Sequence, residues 1–116
     1  MKIESVEGIK IAVPEDEHLD ASNRELFKSQ LEAVASSSRT ERIILDLSGV
    51  RFIDSSGLGV IMTVLKGLRA SGSDMVACGI SKPVRVLFDM VRLDRVMSTF
   101  PTRAEALFSL LRNKAE

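Results

Sequence analysis

The chain has 116 residues, and its sixteen basic and sixteen acidic side chains cancel. That length suits one domain with a proper hydrophobic core, and the lack of a basic excess argues against a binder of nucleic-acid backbone. No apolar run approaches bilayer-spanning length and no charged-then-apolar leader opens the chain, so no membrane partner is expected; a single cysteine can form no internal disulfide, which makes a reducing cytosol the expected setting.

Lys2 to Glu7 is weakly patterned and reads as an edge strand. Ile9, Ile11 and Val13 then alternate with Lys10 and Ala12, as in a strand with one buried face. Pro14 ends it, and Glu15-Asp16-Glu17 reads as a solvated loop that continues through His18. Ser22, with Glu25 three residues on, has capping-box spacing. Leu26, Phe27, Leu31 and Val34 place one apolar stripe on a helix reaching about Ala35, and the polar cluster Ser36 to Thr40 reads as a loop.

Ile43 to Leu47 is a short apolar run broken only by Asp46, the pattern of a strand covered on both faces. From Ser56 a helical period sets in, with Leu58, Ile61, Leu65 and Leu68 three or four residues apart. Ser71-Gly72 closes that helix, and Met75 to Ile80 is the next strand. Ser81 is placed to cap a third helix, with Pro83 tolerated in its first turn and Val84, Leu87, Phe88 and Val91 as its buried face. Val96 to Phe100 reads as a short last strand. Thr102 and Glu105 repeat the capping-box spacing before a final stripe of Ala104, Leu107, Leu110 and Leu111. The order β-β-α-β-α-β-α-β-α predicts an α/β fold, one domain over 1–116, with a mostly parallel sheet and crossover helices.

The chemistry on offer is narrow. A serine nucleophile needs a base, and the one histidine, His18, sits in the acidic loop; neither Ser55 nor Ser56 has the spacing of a nucleophile elbow. No Walker-type loop is present, and Gly57-x-Gly59 alone is no nucleotide fingerprint. One histidine and one cysteine do not make a transition-metal site, so neither metal nor cofactor is expected. Cys78 lies in an apolar strand and reads as a small buried hydrophobe.

There remains Asp54-Ser55-Ser56-Gly57, at the junction of strand and helix. Asp and Ser are ordinary N-caps, and Gly57 and Gly59 are small enough to let the first turn pack closely. Yet one cap suffices and three polar groups stand together. A helix N-terminus, with free N–H groups and a favourable dipole, also suits a phosphate, so a phosphoserine could form there and change the local charge by nearly two units. On a helical wheel Gly57, Val60, Ile61, Val64, Leu65 and Leu68 share one arc. Gly59, Met62, Thr63, Lys66 and Ala70 lie opposite, which sets an apolar Met62 on the wet face beside the serines.

The stretch Leu45-Asp46-Leu47 to Val50, then Phe52-Ile53-Asp54-Ser55-Ser56-Gly57-Leu58-Gly59-Val60, resembles the STAS domain family and within it the bacterial anti-sigma factor antagonists. Leu19-Asp20 resembles the family's turn before the first helix, and Ser81-Lys82-Pro83-Val84 with Leu87-Phe88 its third-helix start. Where the family often has Gly, three residues before Asp20, this chain has Glu17. The resemblance implies a protein that catalyses nothing. It implies a partner that is an anti-sigma factor and Ser/Thr kinase with a histidine-kinase-like ATPase fold, phosphorylation at Ser55 that releases that partner, and a PP2C-type phosphatase that reverses it. Asp54 would then orient or electrostatically set the Ser55 hydroxyl, with Ser56 and Gly57 supporting it. The implied partner face runs over Asp20, Ser22, Asp54 and Ser55, along Gly59, Met62, Thr63 and Lys66, and on to Ser81 and Lys82. An interaction subunit of a larger signalling or transport complex, without the phosphate switch, is the alternative.

Overall fold

A computed structural model of the chain describes residues 1–38 and 42–114. Along the chain these form β1 (Lys2–Val6), β2 (Ile9–Val13), β3 (His18–Leu19), α1 (Arg24–Ser38), β4 (Ile43–Asp46) and β5 (Phe52–Ile53). They continue with α2 (Ser55–Ala70), β6 (Met75–Cys78), α3 (Lys82–Met90), a 3-10 turn at Leu93–Arg95, β7 (Thr99–Phe100) and α4 (Arg103–Lys114). The nine expected elements thus occur in the expected order, with β3 and β5 added.

Five strands form one sheet in the order β1-β2-β4-β6-β7, antiparallel between β1 and β2 and parallel thereafter. Glu7 and Gly8, both at positive φ, make the two-residue turn of the β1–β2 hairpin, the conformation whose twist matches the strands it joins. All four residues of β4 are buried, and so are all four of β6. Central strands of a parallel sheet with helices on both sides have no wet face to mark. On one side, Ala12, Ile43, Leu45, Leu47, Met75 and Ala77 pack against α1, α2 and α3. On the other, Ile9, Ile11, Ile44, Val76 and Cys78 pack against Ala106 and Leu110 of α4. Because Ala12 is buried as well, β2 is covered on both faces rather than one.

Several local expectations are corrected. Residues 36–38 continue α1, and the rest of the expected loop lies outside the described residues. Ser22 does not cap α1; its hydroxyl donates to the Asp20 carboxylate, while Asn23 Oδ1 accepts from the Asp20 amide at 2.9 Å. Leu26 is exposed, because only Phe27, Leu31 and Val34 of that stripe reach the core. β6 stops at Cys78, since Gly79 turns away at φ +68 with Ser48 pressed against it, where a Cβ would meet Ser48 Cβ at 2.9 Å. Ser81 precedes α3 as expected, but its hydroxyl donates to the Val50 carbonyl at 3.2 Å instead of capping the helix. Val91 and Val96 are exposed: the chain runs through the 3-10 turn there, and only Thr99–Phe100 pair as a strand. In α4 the buried alanine is Ala106, not Ala104. Thr102 does cap α4, its Oγ1 accepting from the Glu105 amide at 3.2 Å.

Candidate functional site

The two short strands create the site. β3 and β5 pair in parallel with Leu19 beside Ile53, so the next residues, Asp20 and Asp54, open the way into α1 and into α2 side by side. Two-residue strands carry no period a sequence could show, yet this pair is what brings the two turns together.

Asp54 is the N-cap of α2. Its Oδ1 accepts from the Ser56 amide at 2.8 Å and the Gly57 amide at 3.1 Å, and its Oδ2 accepts from the Ala21 amide at 3.3 Å. Its own amide donates to the Leu19 carbonyl at 3.2 Å, and its carbonyl accepts from Leu58 at 3.0 Å. Ser55, the first residue of the helix, is exposed, and among the described residues its hydroxyl has no hydrogen-bond partner. Ser56, one residue on, is half-buried. The expected role of Asp54 is therefore changed. Its carboxylate holds backbone amides rather than the Ser55 hydroxyl, and it already takes two of the N–H groups expected to be free for a phosphate.

Gly57 explains how close this packing is. A Cβ there would sit 2.4 Å from the Leu19 carbonyl oxygen and 2.8 Å from Ile53 Cγ1, so only glycine lets the first turn of α2 rest on the end of β3. Gly59 is different: a Cβ there would meet nothing within 4 Å, and close packing does not account for it.

The α1 side of the site is knit by side-chain-to-backbone bonds. Asp20 Oδ1 accepts from the amide and the hydroxyl of Ser22, and Asn23 donates to the His18 carbonyl at 2.8 Å and to Asp16 Oδ2 at 3.3 Å. The Ser22 hydroxyl is the main cause that holds the Asp20 carboxyl below its usual range. Asp20, Ser22, Asp54 and Ser55 thus form one patch. Ser81 is tied to the Val50 carbonyl, two residues before β5, with Lys82 exposed beside it; among the described residues no hydrogen bond joins either to the patch. Phe52, 53% exposed, lies on β5, a two-residue strand too short for a sequence period to show which of its side chains is wet.

The remaining expected residues follow α2 away from this patch. Lys66 is eleven positions beyond Ser55, roughly 16 Å along the helix axis. Thr63 is exposed and lines an open cleft of about 710 Å³ between α1 and α2, with Glu32, Ala35, Gly67 and Ser71. Gly59 is half-buried. Met62 is half-buried too and packs against the core, so it is not the free wet-face side chain that the helical wheel suggests.

Among the described residues no hydrogen bond links the His18 ring to either serine, and no group of three or more His, Cys, Asp or Glu is placed to hold a metal ion. No helix among them is long and apolar enough to cross a membrane. Cys78 is fully buried, and burial pushes its thiol up to about 12, with the Asp46 charge adding to the effect, so it packs as a hydrophobe.

Comparison with known proteins agrees with the fold. The STAS domain family model matches residues 1–106. The anti-sigma F factor antagonist of Paenibacillus polymyxa is 33% identical over 92 residues, covering 79% of each chain. The crystal structure of a Thermotoga maritima protein provisionally named an anti-sigma factor antagonist superposes with a TM-score of 0.83 at 28% identity, covering 93% of this chain and 92% of that one. The anti-sigma factor antagonist SpoIIAA has the same fold. Its unphosphorylated form gives a TM-score of 0.77 at 22% identity with 94% of each chain covered, and its phosphorylated form 0.67 at 20% identity with 94% and 97% covered.

Proposed function

The chain belongs to the STAS domain family, and from that membership and the Asp54–Ser55 geometry we propose a protein-binding module whose affinity for its partner is switched by a phosphate on Ser55. It is a binding module and not an enzyme. In the proposed cycle the unmodified protein binds an anti-sigma factor that is also a serine/threonine kinase with a histidine-kinase-like ATPase fold. The kinase transfers the γ-phosphoryl group of ATP to Ser55 Oγ. The Oγ–P bond forms, the bond to the departing ADP oxygen breaks, and the hydroxyl proton passes to a base on the kinase. The partner then lets go, and a PP2C-type phosphatase hydrolyses the ester and restores binding.

One observation carries this reading. Ser55 is the exposed first residue of α2 with an uncommitted hydroxyl, while its neighbour Asp54 is held by three amides. A phosphoryl acceptor must reach out of its own fold, and Ser55 can do so without breaking a bond. The relatives named as anti-sigma factor antagonists, and SpoIIAA, a protein of the same fold known with and without phosphate, support the same reading. The added charge is compatible with the helix dipole, worth roughly 0.3–1 kcal/mol at an exposed N-terminus. It is far less compatible with a partner surface shaped for a hydroxyl beside a carboxylate.

The test is incubation of the wild type, Ser55→Ala and Ser56→Ala with the cognate kinase and ATP, followed by intact mass and peptide mapping. The wild type and Ser56→Ala should each gain one phosphate at position 55, and Ser55→Ala none. Phosphate mapped to Ser56 would overturn the assignment.

A further inference from the structure

We propose that a phosphate on Ser55 is relayed to the loop at 20–23 through Asp54, by breaking the hydrogen bond that the Ala21 amide donates to that carboxylate. The inference rests on the phosphate switch and deepens it, by naming which part of the partner face moves.

Among the described residues, the Asp54 carboxylate is the only side chain of the patch that holds amides of both turns. Oδ1 makes two bonds inside α2, at 2.8 and 3.1 Å, and Oδ2 makes one bond across to Ala21, thirty-three residues away, at 3.3 Å. The crossing bond is the longest of the three and is exposed. A phosphate on the adjacent residue places up to two negative charges beside this carboxylate. Both groups then face the same helix end, and like charges this close repel. Turning the carboxylate relieves this repulsion, and the single exposed crossing bond yields more readily than the paired bonds within the turn.

The neighbouring contacts determine how far the loop can move. Leu19 is held in place: its carbonyl accepts from the Asp54 amide, and Gly57 rests against it. Beyond Leu19 the loop is bonded to itself and, through the Asn23 side chain, to the His18 carbonyl at 2.8 Å and to Asp16 at 3.3 Å. The Asn23 amide donates to the Asp20 carbonyl at 3.2 Å, Asn23 Oδ1 accepts from the Asp20 amide, and Asp20 Oδ1 accepts from Ser22. Once Ala21 is released, residues 20–22 can shift between the anchors at Leu19 and Asn23. Asp20 carries a further negative charge on that piece, which the phosphate pushes in the same direction.

The experiment places phosphoserine at position 55 by site-specific incorporation, so that no kinase is needed, and follows the Ala21 amide by its ¹H–¹⁵N resonance and hydrogen exchange. Phosphate should shift the resonance and speed its exchange about tenfold, the equivalent of ~1.4 kcal/mol. Asp54→Asn supplies the control. Its side-chain oxygen can still accept from Ser56 and Gly57, but its NH₂ cannot accept from Ala21. In that variant, exchange at Ala21 should already be fast, and phosphate should change it less than twofold. If the wild-type Ala21 amide is unmoved by phosphate while partner binding is lost, the relay is wrong and the switch stands. If phosphate leaves partner binding intact, the switch itself is wrong.

Discussion

Arg103 reaches from the first turn of α4 to Asp46 at the end of β4, where its Nε and terminal amino group both donate to Oδ2, at 3.0 and 2.8 Å. The other terminal amino group donates to Glu4 of β1 at 2.9 Å. Asp46 is only 5% exposed, and its other oxygen accepts from the Ser48 amide at 3.0 Å, in the turn that leads to β5. One guanidinium therefore ties the helix on the far face of the sheet to the strand whose continuation enters the site.

Removing Arg103 strands a buried carboxylate. Breaking a fully buried pair costs about 3–5 kcal/mol. Arg103 is a third exposed, so water can partly replace it, and Arg103→Ala should cost ~2 kcal/mol. Urea unfolding of the single variants and of Arg103→Ala with Asp46→Asn should show strong coupling. Additive effects would mean that the pair does not hold α4.

The same pair sets an acid limit. Burial raises the Asp46 carboxyl, but the bonds from Ser48 and Arg103 outweigh it and leave it below the ordinary 3.8. A carboxyl depressed in the folded state contributes stability above its unfolded value, and that contribution is lost as pH falls through the folded one. The wild type should accordingly lose stability more steeply than Asp46→Asn as pH drops below about 3.8. Parallel stability–pH curves would contradict this.

Two glycines in one helix should respond in opposite ways. Gly57→Ala drives a methyl into the Leu19 carbonyl, a backbone atom with little room to retreat, and should cost about 1–3 kcal/mol. Gly59→Ala meets nothing and should stabilise α2 by up to ~1 kcal/mol. Thermal melts of both variants check the pair. If Gly59→Ala also weakens partner binding while raising stability, its place on the partner face is supported.

The parts that sequence made legible are those with a period long enough to read. The unalternating runs at β4 and β6 announced a covered parallel sheet, and the stripe Leu58–Ile61–Leu65–Leu68 announced α2, while the sequence left the cap open among Asp54, Ser55 and Ser56 and the fold gives it to Asp54. The hidden parts depend on single long-range contacts. β3 and β5 exist because Leu19 and Ile53 meet in the fold, and the Asp46–Arg103 bond joins positions fifty-seven apart. Ser22 and Ser81 had the right types for caps, but other acceptors, the Asp20 carboxylate and the Val50 carbonyl, take their hydroxyls. Met62 fell on the polar side of an ideal wheel, yet its long flexible side chain folds back onto apolar neighbours.

That packing changes how the outer face of α2 should be probed. Met62→Asp would disturb the core margin and lower stability and binding together. Lys66→Glu alters an exposed position, so its melting point should stay within the equivalent of about 0.5 kcal/mol. Its partner affinity should fall if the face extends that far along the helix. Unchanged affinity would confine the face to the patch around Asp20, Asp54 and Ser81.

The most direct test of the switch is the affinity of the partner kinase for two forms of one protein, unmodified and fully phosphorylated at Ser55, measured at one ionic strength. A phosphate switch predicts at least a tenfold weaker complex for the phosphorylated form, a cost of only ~1.4 kcal/mol or more, with Ser55→Ala binding like the unmodified protein. Equal affinity of the two forms would contradict it.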